Sequence, residues 1–201
     1  ISVTVITFLQ YFLKYIGIER RTLELIQASI MYCFIFSVVL TSGYCMMVSR
    51  YVSDLIYTKE YEHVLPSLYA SMAVLIMYCG GLALLFFSRS PLPLITKLIT
   101  YSLFLGLTLQ MLLGVYVSAL KNYKQIAFGY VYGVIVGALA GFLISRYTDV
   151  YIVNNVLASF ALCLVVVNLV LLHEIRKFFN EKSSDYYTVF IYLRRYFSLV
   201  I

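Results

Sequence analysis

Four cysteines and two histidines are the side chains of this sequence best suited to hold a metal or to act as nucleophiles. Such chemistry needs them close together, as in C-x-x-C pairs or an H-E-x-x-H helix. Cys33, Cys45, Cys79 and Cys163 form no such pair, and each falls within an apolar run, where a thiol behaves as a small buried hydrophobe. His63 stands among charged residues, and His173-Glu174 lacks the second histidine of a zinc-protease helix. Two buried histidines for haem ligation are missing as well. There is no G-x-S-x-G elbow and no glycine-rich phosphate loop. The sequence therefore points to a non-enzyme with no catalytic residue, no metal site and no cofactor.

The polar groups left inside apolar runs are amides and hydroxyls: Gln27, Ser37, Thr41, Ser42, Thr108, Gln110, Asn154, Asn155 and Asn168. In lipid such groups bond across helices, each for about 0.6–2 kcal/mol. Asn154, Asn155 and Asn168 carry a second reading, a polar vestibule for a solute. Gly129, Gly133, Gly137 and Gly141 recur at intervals of four, which keeps them on nearly one helix face. In a soluble helix each would cost about 1 kcal/mol against alanine, so a face of this kind needs a packing reason: a neighbouring backbone that approaches closely. That neighbour is a helix of the same chain, of a second copy or of another subunit. The chain holds twenty tyrosines and no tryptophan, and many of the tyrosines sit near the ends of apolar runs, as interfacial anchors do. Tyr130 and Tyr132 flank the glycine face and need hydrogen-bond partners.

The elements that must carry these residues follow from composition. Hydrophobic residues make up 63% and charged residues 12% of 201 residues, against about 45–50% and 25% in globular chains. With a mean hydropathy of +0.92 there is too little polar surface for a water-soluble domain. Nucleic-acid binding is not expected either, because the net charge of +6 is scattered through short loops. Runs of about 20 apolar residues, the length that crosses roughly 30 Å of hydrocarbon, occupy residues 25–48, 66–87, 98–120, 126–145 and 150–172. Charged residues fence them: Arg20, Arg21 and Glu24 before the first, Arg50 after it, then Arg89, Lys97, Lys121, Lys124, Arg146 and Glu174. The strand alternation of a barrel is absent, so helices must satisfy the backbone.

The expected fold is an all-α, multi-pass transmembrane helical bundle of five to seven membrane helices forming a single integral membrane domain over residues 1–201. Residues 1–20 are expected as an interfacial helix or a clipped span, the chain starting with Ile instead of Met. Residues 186–201 carry Arg194 and Arg195 mid-segment, at about 2.5–3.5 kcal/mol each in mid-bilayer, and are expected as a half-inserted helix. The longest connection expected is 49–65. With alternating sides, six Lys/Arg (Lys14, Arg20, Arg21, Arg89, Lys97, Arg146) face seven (Arg50, Lys59, Lys121, Lys124, Arg176, Lys177, Lys182), which leaves the orientation open.

Ser90-Pro91-Leu92-Pro93-Leu94, followed by Thr100 and Leu105-Gly106-Leu107-Thr108-Leu109, resembles the second-to-third helix link of the Bax inhibitor-1 (transmembrane Bax inhibitor motif) family. Leu172-His173-Glu174-Ile175, Ser183-Ser184-Asp185-Tyr186 and Ile191-Tyr192-Leu193 resemble its C-terminal region. The resemblance implies a calcium or cation leak channel gated by an aspartate pair. Here Glu174 and Arg194 stand at those positions, and an ion pair would replace the pH-sensitive latch.

The primary functional expectation is a non-enzymatic protein of the lipid bilayer that acts through helix packing, as an accessory or assembly subunit with other membrane subunits or a second copy. The leak channel is the alternative and a small-solute carrier a weaker one. An organellar or endomembrane location is preferred.

Overall fold

The computed structural model describes residues 20–119, 123–147 and 152–179. The expected interfacial segment before Arg20 and the half-inserted helix at 186–201, with Arg194, lie outside the described residues. Among those described the protein is all-helical, without strands: α1 (Arg20–Thr58), a 3-10 turn (Tyr61–His63), α2 (Val64–Ser88), α3 (Leu94–Ala119), α4 (Tyr123–Tyr147) and α5 (Ile152–Phe178). All five α-helices are long and apolar enough to cross a membrane. Proline spares their interiors. Pro66 sits in the first turn of α2, where a missing N–H costs nothing, and Pro91 and Pro93 lie in the α2–α3 link. The Pro93 carbonyl accepts the Lys97 N–H at 3.0 Å and opens α3.

Contacts between helices fix their directions. Ser67 of α2 meets Tyr116 of α3, whereas Gly80 lies against Tyr101, so these two helices are antiparallel. Thr96 pairs with Asn154 and Gly106 with Asn168, so α3 and α5 run parallel. Gly129 lies against Val170 and Gly141 against Ser159, so α4 runs against α5. Cys33 of α1 reaches the Thr100 carbonyl near the start of α3, and the end of α1 connects by a few residues to the start of α2, which lies at the Tyr116 end of α3. Thus α1, α3 and α5 point one way, and α2 and α4 the other.

The bundle is organised around α3 and α5, with α1 and α2 laid on α3 and α4 laid on α5. Leu103, Leu112 and Leu113 of α3 and Leu157, Val167, Leu171 and Ile175 of α5 fill the interior, joined by Ile26, Val48 and Val52 of α1 and Leu68 and Leu75 of α2. The apolar residues Met77, Leu85, Val39, Phe142 and Leu169 face outward, as a bilayer-embedded surface allows. Tyr116, fully buried, keeps its hydroxyl bonded to Ser67 Oγ at 3.0 Å.

One boundary differs from the expected one. α1 does not end near Val48 but continues through Arg50 and Asp54 to Thr58, shrinking the connection expected at 49–65 to a few residues. Its 39 residues span about 58 Å at 1.5 Å per residue, well beyond the hydrocarbon thickness. The helix closes with a Schellman pattern: Glu60 N–H to Leu55 O at 3.0 Å, Lys59 N–H to Ile56 O at 3.3 Å, and Lys59 at φ 64°. Glycine usually takes that position, so a helix stop built on lysine is hidden from composition.

Candidate functional site

Four of the span amides, Gln110 of α3 and Asn154, Asn155 and Asn168 of α5, meet where α3, α4 and α5 pack together. Thr96 Oγ1 donates to Asn154 Oδ1 at 2.7 Å, near the start of both α3 and α5. Farther along, Asn168 Nδ2 donates to the Gly106 carbonyl at 2.9 Å. Asn154 and Asn168 are fourteen residues apart, just under four turns, and so share the face of α5 turned to α3. Asn155 is one residue round the helix and reaches α4 instead, its Nδ2 donating to Gly141 O at 3.3 Å. The three asparagines therefore do not line one path: two join α5 to α3 and one joins α5 to α4.

A second amide lies beside Asn168. In a helix the Gly106 carbonyl is directed at the turn that carries Gln110, four residues on, so Asn168 and Gln110 occupy one level of the bundle. Gln110 Nε2 donates to the Tyr130 hydroxyl of α4 at 2.5 Å, linking α3 and α4. Asn155 Oδ1, Asn168 Oδ1 and Gln110 Oε1 are all buried and accept no hydrogen bond from the protein. Exchanging O and N in Asn155 or Asn168 would set oxygen against a carbonyl oxygen, so their orphan acceptors follow from the bond each nitrogen makes. The nearby hydroxyls are committed to their own helices: Thr100 to Thr96 O, Thr108 to Phe104 O and Ser159 to Asn155 O. The α3–α4–α5 junction is thus acceptor-rich and neutral, and its buried oxygens would take hydrogen bonds from water or from hydroxylated molecules only where the helices part. It offers no acid or base.

Close backbone approach makes this junction possible. Among the described side-chain positions of α4 only Gly129, Gly133 and Gly137 are buried. A Cβ at Gly137 would lie 2.8 Å from Cys163 Cβ and 3.1 Å from the Ser159 carbonyl. At Gly133 it would lie 3.0 Å from Cys163 O and run into Val167 Cγ2. At Gly141 it would meet Ser159 Oγ at 2.7 Å, and at Gly129 Val170 Cγ1 at 3.3 Å. Gly106 of α3 has the same relation to Leu164 of α5, whose Cβ would be 3.2 Å away. Two glycine-lined approaches, from α3 and from α4, therefore meet on α5.

Elsewhere, Glu174 is half-buried in the last turn of α5, and its expected partner Arg194 lies outside the described residues. The four cysteines are free and dispersed, and among the described residues no group of His, Cys, Asp and Glu is arranged to hold a metal ion. The Tyr116–Ser67 pair, with Ser71 3.5 Å away, escaped the sequence reading, because a tyrosine near a helix end looks like an interfacial anchor until a serine is found facing it.

These features define a multi-pass, helical integral membrane protein. A family model matches the chain from residue 1 to residue 201: PelG, described as "Putative exopolysaccharide Exporter (EPS-E)". The chain belongs to that family, and the description is that of an exporter, not of an enzyme. Comparison with curated proteins and with solved structures gives no match. The family assignment overturns the resemblance to Bax inhibitor-1, and with it the basis for a Glu174–Arg194 gate. The stretches behind that resemblance were short and mostly Leu, Ile, Gly, Pro, Ser and Thr, the residues any pair of membrane helices with a tight link uses.

Proposed function

We propose that the protein serves the passage of an exopolysaccharide across a membrane as a non-enzymatic helical component, assembled with other membrane subunits or a second copy. The observation that carries this reading is the match of the exporter family model along the described five-helix body. The chemistry of the α3–α4–α5 junction supports it. A polysaccharide presents hydroxyl donors, and the junction presents the unpaired amide oxygens of Asn168 and Gln110 at one level and of Asn155 about 20 Å away along α5. Charged side chains stand at the ends of the spans, outside their apolar middles, so this chain supplies contacts to a hydroxylated polymer while a partner supplies any driving force.

The test is secretion. In cells that depend on this chain, its deletion should abolish extracellular polysaccharide while polymer accumulates inside, and the intact chain should restore export. Unchanged secretion after deletion would remove the proposal. Replacing Asn168 and Gln110 together with leucine, in protein that still reaches the membrane, should lower export if the junction contacts polymer. Full export by that variant would confine the junction to packing.

A further inference from the structure

At the end of the bundle formed by the start of α2 and the last turn of α5, Arg176 is held in an unusual way. Its guanidinium carbon lies 5.3 Å from the centroid of the Tyr69 ring, within cation–π range. Its Nε also donates to the hydroxyl of the same tyrosine. Tyr69 is half-buried and belongs to the packed start of α2, whereas Arg176 is exposed. Ring and hydroxyl together fix a side chain that would otherwise sample many rotamers.

The donors that remain define what it can bind. A guanidinium has two edges suited to a two-pronged oxyanion: Nε with one Nη, and the two Nη groups together. The Nε edge is occupied by the Tyr69 hydroxyl, which leaves the Nη edge for a second partner. Among the described residues Arg176 makes no ion pair. Glu174, two residues earlier, sits about 200° round the helix and faces another direction. Lys177 adds a second exposed cation in the same turn. This turn ends an apolar span, at the depth where lipid headgroups lie.

We infer that Arg176, positioned by Tyr69, forms a binding site for the phosphate of an anionic phospholipid headgroup. The phosphodiester supplies two oxygens in the geometry the Nη edge matches, and the acyl chains lie along the exposed apolar side of the span. The site does not depend on what the protein exports.

The probe is phosphatidylglycerol titrated into delipidated full-length protein in a neutral detergent, with retention of lipid read by native mass spectrometry. Wild-type protein should retain phosphatidylglycerol, and diacylglycerol, which lacks the phosphate, should not bind. R176A should weaken binding about tenfold or more, since the charge alone at a membrane surface contributes about fivefold and the two-pronged hydrogen bond adds to it. R176K is the discriminating variant: it keeps the charge but loses the fork and the fixed position, and it should recover only part of the loss and stay well below wild type. Y69F should weaken binding by less, and K177A by the least. Binding by R176K equal to wild type would reduce the site to a diffuse surface charge and overturn the inference, as would unchanged binding by R176A. Displacement of the lipid by millimolar inorganic phosphate would assign the site to a soluble anion and overturn the lipid assignment. All variants should elute as wild type on size exclusion, because Arg176 and Lys177 are exposed and Y69F removes only a hydroxyl.

Discussion

Substituting alanine along the α4 glycine face gives a graded series whose order follows from geometry. At Gly137 the new Cβ would sit 2.8 Å from Cys163 Cβ, where ordinary contact begins near 3.4 Å, so the helices must separate locally by about 0.6 Å. Neither obstacle can turn aside, since one is a Cβ and the other the Ser159 carbonyl. A gap of about 0.5–1 Å forfeits a quarter to a half of each dispersion contact, and overpacking typically costs about 1–3 kcal/mol. Alanine returns about 0.5–1 kcal/mol of helix propensity, so G137A should destabilise by about 1–2 kcal/mol. G133A should match it, because Val167 is β-branched and stiff and Cys163 O is backbone. At Gly141 the obstacle is Ser159 Oγ, which can rotate, and G141A should fall within about 0.5 kcal/mol of wild type. Gly43, Gly81 and Gly114 have no neighbour within 4 Å of a built Cβ, so alanine there should be neutral or stabilising by up to about 1 kcal/mol. The assay is unfolding by increasing dodecyl sulfate fraction in maltoside micelles, followed by circular dichroism. A G137A/C163G double mutant should show a favourable coupling of about 1 kcal/mol, because the paired Cβ is gone. If G137A were as stable as G141A, or if no coupling appeared, the close α4–α5 approach would be refuted.

Further outcomes can be read in the same assay. Lys59→Gly should stabilise by about 1 kcal/mol, the cost an L-residue bears at φ 64°, whereas Lys59→Ala should change little. Tyr116→Phe should destabilise by about 0.5–1.5 kcal/mol through loss of the Ser67 bond, and Tyr116→Phe with Ser67→Ala should cost little more, since the second change removes only a local bond to Val64 O, a carbonyl already within its own helix. Asn168→Leu should cost less than about 1 kcal/mol, because the lost Gly106 bond is balanced by removal of an orphan acceptor, while Asn168→Asp should cost about 2.5–3.5 kcal/mol and lower membrane insertion.

How much of this was legible in the sequence depended on whether one residue type marked the feature. Charges marked the spans, because an apolar run in lipid must stop where Arg or Lys reaches the headgroups. The end of α1 carried the wrong marker: Arg50 closes the apolar run but not the helix, which continues past it to a lysine-capped stop. Four-residue spacing marked the glycine face, but nothing in it named the partner, since Val167, Cys163 and Ser159 of α5 look like any other apolar face with one serine. The asparagines were visible individually. Their division between α3 and α4 was not, because that division depends on where two neighbours stand around α5. The mistaken family resemblance shows the opposite failure: short apolar motifs recur wherever helices cross a membrane, so they mark the solvent and not the lineage.

The arrangement makes α5 the helix on which α3 and α4 meet. One face receives α3 through Gly106 and the Asn154 and Asn168 bonds, another receives α4 through the glycines and Asn155, and its last turn reaches α2 through Arg176 and Tyr69. By contrast α4 is attached almost wholly to α5, with Tyr130–Gln110 as its described hydrogen bond to α3. A helix held almost wholly along one backbone-close seam can part from the bundle only by opening that seam, and the orphan acceptors of Asn155 and Gln110 belong to residues bonded to it. Cross-linking distinguishes a moving seam from a fixed one. Cysteines placed at Gly141 and Ser159, in a variant free of the native four, should form a bond that holds α4 against α5. Export that stops on oxidation and returns on reduction would make α4 the moving element. Export that proceeds with the seam locked would make the α4–α5 pair a rigid support.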